Sequence, residues 1–109
     1  AINYPATSIE NDFQWAPMHP MVEAYKSYQK MPYDRPTWDL TSVLYSVEGS
    51  SYFTVSPAGK ISVTDKGATE FTPDATGNRY YLTVDAAQAE NIKQHFVKLV
   101  SKQPAHFIK

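Results

Sequence analysis

The apolar residues of this 109-residue chain change their spacing twice, and this change constrains the fold more than any other feature. Apolar residues have helical spacing in residues 19–48. They alternate with polar residues in the segment from Ser51 to Val84, and helical spacing returns from Asp85 onward. The alternating segments are separated by "PAG", "KG" and "PDATGN", which are typical of turns and hairpins. We therefore predict an α+β fold with two helices, a small antiparallel β-hairpin region from Ser51 to Val84, and a C-terminal helix.

The first predicted helix starts at a proline. Pro20 suits the first helical position, and His19 precedes it as the N-cap. We expect residues 1–19 to be irregular, because Pro5 and Pro17 interrupt any periodicity. The apolar face of this helix is predicted to consist of Met21, Ala24, Tyr25 and Tyr28.

Two further helices are predicted from their start and stop signals. One starts near Asp39 and ends at Gly49. The other opens with Asp85 followed three residues later by Gln88, which is a capping-box pattern. The predicted apolar positions are Leu40, Val43, Leu44 and Val47 in the first, and Ala89, Ile92, Phe96, Leu99 and Val100 in the second; we expect the second to pack through Ile92, Phe96 and Leu99.

The composition limits the classes of partner. Ten basic and eleven acidic residues give a net charge of -1 without a basic block, which argues against nucleic acid as a partner. No apolar run approaches the length of about 20 residues that a membrane span needs. The absence of cysteine excludes disulfides and thiolate nucleophiles. No repeat or linker divides residues 1–109, so we predict one structural unit; its compartment is not determined by these features.

The residues by themselves do not indicate a catalytic centre. His19, His95 and His106 are scattered and have no metal-ligand spacing. The glycines lie singly in turns, so no phosphate-binding loop is predicted. Asp39, in the stretch "RPTWDLTSVLY", is explained by its position alone as a helix N-cap. We assign no residue of this chain a catalytic role.

The loop before that helix brings several binding side chains together in sequence. Its segment "PYDRP" has a proline at each end, which leaves the backbone little freedom. We therefore expect Tyr33, Arg35 and Trp38 to lie near Asp39 and to form a substrate-binding surface. A purely connecting loop is the alternative interpretation.

The stretch "HPMVEAYKSYQKMPYDRPTWDLTSVLYSVEGSSYFTVSPAGKISV" resembles the C-terminal third of the inosine-uridine-preferring nucleoside hydrolase family, in particular its uncharacterised bacterial branch. The resemblance extends from about His19 to Val84 and includes the order of the predicted elements. That family carries a His-Asp-Pro signature, to which Trp38, Asp39 and Leu40 correspond here. The aspartate is present, whereas the histidine and the proline are replaced.

The resemblance implies a role for Asp39 other than capping. In the family this aspartate ligates an active-site calcium ion, which holds the attacking water and the ribose hydroxyls. The resemblance therefore implies that Asp39 is a calcium ligand and that Trp38 lies beside the leaving base of a nucleoside. It also implies that the chain is the C-terminal portion of a larger α/β nucleoside hydrolase fold.

The family's N-terminal aspartate cluster has no counterpart in this chain. We therefore expect the chain alone to be inactive and to depend on a missing N-terminal portion of the same protein. A portion of this kind should also expose a large apolar patch on its inner faces. The alternative is a non-catalytic, β-rich accessory module that grips a carbohydrate or a partner protein through its aromatic residues and the loop "MPYDRPTWD".

Overall fold

A computed structural model describes residues 1–105 of the chain, and the predicted tail residue His106 lies outside this range. Residues 1–105 form a small mixed α/β structure with four helices and three two-stranded antiparallel sheets. The helices are α1 (Ala6–Asn11), α2 (Pro20–Tyr28), α3 (Trp38–Glu48) and α4 (Ala86–Val100). The strands are β1 (Asn3–Tyr4), β2 (Arg35–Pro36), β3 (Thr54–Val55), β4 (Gly59–Val63), β5 (Thr69–Pro73) and β6 (Leu82–Thr83).

The expectation that residues 1–19 are irregular is wrong for Asn3–Asn11, which form β1 and α1. Strand β1 pairs with β2, more than thirty positions away in the chain, and Tyr4 is fully buried. Pro5 precedes α1 and provides no side-chain cap, but the Asp34 carboxylate accepts a hydrogen bond from the Ala6 backbone N–H at 2.9 Å. This part of the chain is therefore ordered by a distant segment rather than by its own periodicity.

Three local signals in the sequence are confirmed. The His19 ring Nδ1 accepts a hydrogen bond from the Met21 backbone N–H at 3.1 Å, as expected of an N-cap. Asp85 and Gln88 form the reciprocal capping box, with distances of 2.7 and 2.9 Å. Gly49 ends α3 with a positive φ of 78°, a conformation that a residue with a Cβ adopts at a cost.

The interpretation of Asp39 as the N-cap of α3, which was the alternative to its role as a calcium ligand, is wrong. The N-cap position is occupied by Thr37, and no side chain caps this helix. Thr37 is buried, and its hydroxyl donates to the Ile2 carbonyl at 2.8 Å, which ties the start of α3 to the N-terminal segment. Asp39 lies in the first turn of α3, where the helix dipole favours a negative charge.

The hydrophobic core lies mainly between the helices and β1. Its buried members are Tyr4, Ile9, Phe13, Val22, Tyr25, Leu44, Phe53, Ile92 and Phe96. The terminal helix packs through Ile92 and Phe96 as predicted, but Leu99 is 51% exposed. The apolar faces predicted for α2 and α3 are only partly correct, because Ala24, Tyr28, Val43 and Val47 are exposed.

The predicted antiparallel region is present between residues 54 and 83. Strands β4 and β5 form a hairpin in which Ile61 faces Phe71, while β3 pairs with β6 and brackets the hairpin. At Gly59 a Cβ atom would lie 2.2 Å from the Phe71 ring, so this position accepts only glycine without a shift. In residues 1–105 no helix is long and apolar enough to cross a membrane.

Candidate functional site

An open groove between α2, β2 and the start of α3 contains three of the four residues predicted to form a site. Arg35, Trp38 and Asp39 line it together with Tyr25 and Tyr28 of α2. Its volume is about 370 Å³. We call it the Asp39 groove. The structure therefore places Arg35 and Trp38 in one groove with Asp39, as predicted from the proline-bounded loop, and their binding role stays a prediction.

Trp38 presents a large aromatic surface at the groove. It is the first residue of α3 and is 73% exposed. The backbone just before it is tied to the N-terminal segment, because both the N–H and the hydroxyl of buried Thr37 donate to the Ile2 carbonyl. A tryptophan of this exposure contributes little to the core, and its ring face is available for stacking on a planar ligand.

Arg35 is held by its own strand and by an aromatic ring. In β2 it lies opposite Tyr4 of β1, and its guanidinium carbon sits 4.1 Å from the centroid of the Tyr28 ring. Contact with the Tyr28 side chain raises the pKa of Arg35 above its already high value, so the guanidinium is a permanent cation. Within residues 1–105 no carboxylate lies within 4.0 Å of it.

Tyr33, which was predicted to bind substrate, is not among the residues that line the groove. Its ring stacks on Tyr25 with the centroids 5.3 Å apart, and its hydroxyl donates to the Tyr25 carbonyl at 2.5 Å. Tyr25 does line the groove, and burial raises the pKa of its hydroxyl, which therefore stays protonated at neutral pH. The structure thus gives Tyr33 a supporting position next to the groove wall.

Asp39 is exposed, and its carboxylate makes no hydrogen bond or ion pair with another residue in the part of the chain described here. Its nearest acidic neighbour in sequence, Asp34, is already engaged with the Ala6 backbone N–H. Both oxygens of Asp39 are therefore available to a ligand. The sequence interpretation as a cap had assigned one of them to the helix.

A calcium ion takes about 6 to 8 oxygen ligands. Residues 1–105 contain no group of three or more His, Cys, Asp or Glu that is arranged to hold a metal ion. Asp39 is thus a single suitable ligand, and the described residues do not by themselves fit a calcium site. Any such site needs carboxylates from outside this part of the chain.

Sequence reasoning missed the contribution of α2 to the groove. Tyr28 was expected on the apolar face of its helix, but it is exposed and supports the Arg35 guanidinium. The available signal was the pair Tyr25 and Tyr28, which lie on one helix face at a spacing of three. What the spacing does not contain is the position of β2, which brings Arg35 over that face.

His19 and His95 are not among the residues that line the groove. His95, predicted on the polar flank of α4, pairs with Glu48 through a contact of 2.6 Å between its Nε2 and a carboxylate oxygen. Its ring also stacks on Tyr52, with the centroids 4.9 Å apart. These contacts tie α4 to the end of α3 and give His95 a structural role.

A second, largely apolar groove lies between α3 and α4. It has a volume of about 350 Å³, and Val43, Val47 and Leu99 line it with largely exposed side chains. It carries almost no polar group. It is separate in composition from the charged and aromatic Asp39 groove.

Compared with protein-family models, with curated proteins and with solved structures, this chain has no match. The resemblance to nucleoside hydrolases inferred from the sequence therefore stays a prediction. The groove geometry is an independent observation on which a function can be argued.

Proposed function

We propose that this chain is the C-terminal portion of a nucleoside hydrolase-like enzyme that cleaves the N-glycosidic bond of ribonucleosides by calcium-assisted attack of water. One observation carries the proposal. Asp39, at the position of the family's metal-ligating aspartate, has a free carboxylate in the same groove as the exposed Trp38. A nucleoside has a ribose, whose hydroxyls can bind a metal ion, and a planar base, which can stack on an aromatic ring. The groove places a candidate metal ligand and a stacking surface side by side.

Asp39 contributes one ligand of the metal in this proposal. Carboxylate oxygens are the hard ligands that calcium prefers, and the backbone of Asp39 lies in the first turn of α3. Calcium bound there would supply orientation and polarisation of the attacking water. The remaining ligands would come from an N-terminal portion of the same protein, as the family resemblance implies, because residues 1–105 contain no group of three or more possible ligands.

Trp38 binds the base in this proposal. Its exposed ring offers a face for stacking, and the neighbouring Arg35 and Tyr28 border the same groove. The indole cannot act as a general acid at neutral pH, whereas the family histidine at this position can donate a proton. Departure of the base therefore depends on another donor or on a base that leaves without prior protonation.

The complete protein and its Asp39→Asn variant test the proposal. We expect the variant to bind calcium at least about tenfold more weakly, because one charged ligand is lost, and to release little or no free base from nucleosides. Calcium titration and an assay of free base across several nucleosides measure these effects. The matched control is Asp65→Asn, which changes an exposed aspartate in the β4–β5 turn and should leave both properties unchanged. Parent-like calcium binding and turnover in Asp39→Asn would refute the proposal.

The second candidate is a non-catalytic carbohydrate- or protein-binding module. The exposure of Trp38 beside the Arg35 and Tyr28 pair favours it, because such aromatic and guanidinium surfaces are common at binding interfaces. In this case Trp38→Ala abolishes binding to an oligosaccharide or partner, and Asp39→Asn has no effect on it. Calcium dependence of ligand binding separates the two candidates.

A further inference from the structure

Arg35 is a charged group of the Asp39 groove to which the proposed function assigns no specific contact. The groove holds a cation and an anion, Arg35 and Asp39, that are too far apart to form an ion pair. In residues 1–105 no other carboxylate neutralises Arg35 within 4.0 Å. A ligand for this groove would contact the positive charge of Arg35 and the negative charge of Asp39 with two separate groups.

The Arg35 side chain is exposed, and its guanidinium is supported by its strand and by one aromatic contact. Its backbone belongs to β2, which pairs with β1 at the fully buried Tyr4. One face of the guanidinium is covered by the Tyr28 ring, 4.1 Å away. The N–H donors lie in the plane of the guanidinium, and the contact with Tyr28 reduces the side-chain freedom that ligand binding would remove.

A guanidinium supported in this way binds a planar or tetrahedral anionic group of a ligand better than it binds a neutral group. Its donors form paired hydrogen bonds to carboxylate or phosphate oxygens, and such charge-assisted bonds are stronger than those to neutral acceptors. A neutral nucleoside satisfies the stacking surface of Trp38 but brings no charge to Arg35. A phosphorylated riboside provides the base, the sugar hydroxyls and the anion together.

We propose that Arg35 binds a phosphate group of the ligand, so that the groove prefers a phosphorylated riboside, of the nucleoside 5′-monophosphate class, to the neutral nucleoside. The riboside part of this inference rests on the proposed function. Arg35 is then a specificity-determining residue, and Tyr28 is the positioning residue that holds it. A purely structural Arg35–Tyr28 pair affects stability and leaves ligand preference unchanged.

Calorimetric titration of this chain, in which the whole groove lies, tests the inference. The probes are adenosine, adenosine 5′-monophosphate and inorganic phosphate, all without calcium, so that ligand is not consumed. We expect the monophosphate to bind about tenfold more tightly than adenosine, in line with the strength of hydrogen bonds to charged groups, and inorganic phosphate to compete with it.

The variants locate the effect. Arg35→Gln should lower the affinity for the monophosphate to that for adenosine, and the affinity for adenosine should stay unchanged. Arg35→Lys keeps the positive charge but loses the paired N–H donors of the guanidinium, so its affinity for the monophosphate should lie between those of the parent and Arg35→Gln. Tyr28→Leu should reduce the preference by loosening Arg35. The matched control is Arg79→Gln, an exposed arginine bonded to Asn78 outside the groove, which should change nothing. Circular dichroism confirms that each variant is folded.

Three results would overturn the inference: equal affinity of the parent for the two ribosides, no binding of either, or a preference that survives in Arg35→Gln. Because these measurements are made without calcium, they are independent of base release. Loss of turnover in Asp39→Asn together with equal riboside affinities retains the hydrolase and rejects the phosphate site. The opposite pair of results retains the phosphate site and rejects the hydrolase.

Discussion

The helical part of the molecule and the β4–β5 hairpin are stabilised in different ways. The helices and β1 contribute seven of the nine residues of the buried core, including the fully buried Ile92. The hairpin contributes none, and its Ile61 and Val63 are exposed. It is held by the backbone ladder between β4 and β5 and by a local turn.

This difference explains where the candidate site lies. The groove is built on elements whose backbones are fixed by buried side chains, such as Tyr25 below it and Thr37 at its edge. A site that must hold charged groups in place needs this support.

The molecule measures 51 × 31 × 31 Å, with a radius of gyration of 17.8 Å. A compact chain of this length has a radius of about 13 Å, so part of this protein extends away from the core.

The largest expected effect comes from removing a core side chain. Ile92→Ala, at a site with 0% exposure, should lower the free energy of unfolding by about 2 to 5 kcal/mol, because it removes buried methyl groups and leaves a cavity. The matched change in the hairpin, Ile61→Ala, at 51% exposure, should cost less than about 1 kcal/mol. Urea denaturation measures both. Equal losses would mean that the two parts are not stabilised differently.

A smaller loss of stability is expected from breaking the contact between Asp34 and the start of α1. Asp34→Ala removes the acceptor for the Ala6 N–H and should cost about 1 kcal/mol, the usual value for a lost cap. Amide hydrogen exchange should show the loss in α1 and leave α4 protected. Asp34→Asn keeps an acceptor oxygen and serves as the control. Uniform destabilisation of all the helices would contradict a local capping role.

The smallest effect is expected from lowering the pH, which should weaken the turn that follows β5 of the hairpin. Hydrogen bonds from the Thr76 hydroxyl and N–H, and then the contact with Lys60, lower the pKa of Asp74 below its usual value of 3.8. A carboxyl whose pKa is lower in the folded state stabilises it above the unfolded-state pKa, and this contribution is lost as pH falls through the folded-state pKa. Acidification below pH 4 should therefore loosen the turn after β5 before it affects the helices.

Amide chemical shifts of Thr76 followed across the acid range measure this loosening. Asp74→Asn has no carboxyl to titrate, so its Thr76 amide shift should be flat with pH. The shifts of α4 amides in the parent serve as the reference from the helical part. An unchanged titration of Thr76 in the variant would show that another group controls the turn.

The candidate site shows how far sequence reasoning reached. Arg35, Trp38 and Asp39 lie within five positions of one another, and a loop bounded by prolines keeps such neighbours together. Tyr33 was placed on the same surface, but stacking on Tyr25 directs it to a supporting position. The contribution of Tyr28 was not foreseen, because it depends on how β2 crosses α2.

The sequence alone determined the features that depend on neighbouring residues. The His19 cap before Pro20, the capping box of Asp85 and the antiparallel hairpin each arise within a few positions, where backbone donors find local acceptors. Only the tertiary structure decided the order in residues 3–11 and the free carboxylate of Asp39. Both follow from contacts that cross the chain: the carboxylate of Asp34 caps α1 from 28 positions away, and Thr37 is bonded to Ile2 across 35. Local periodicity cannot encode such contacts, because they exist only once the core has brought distant segments together.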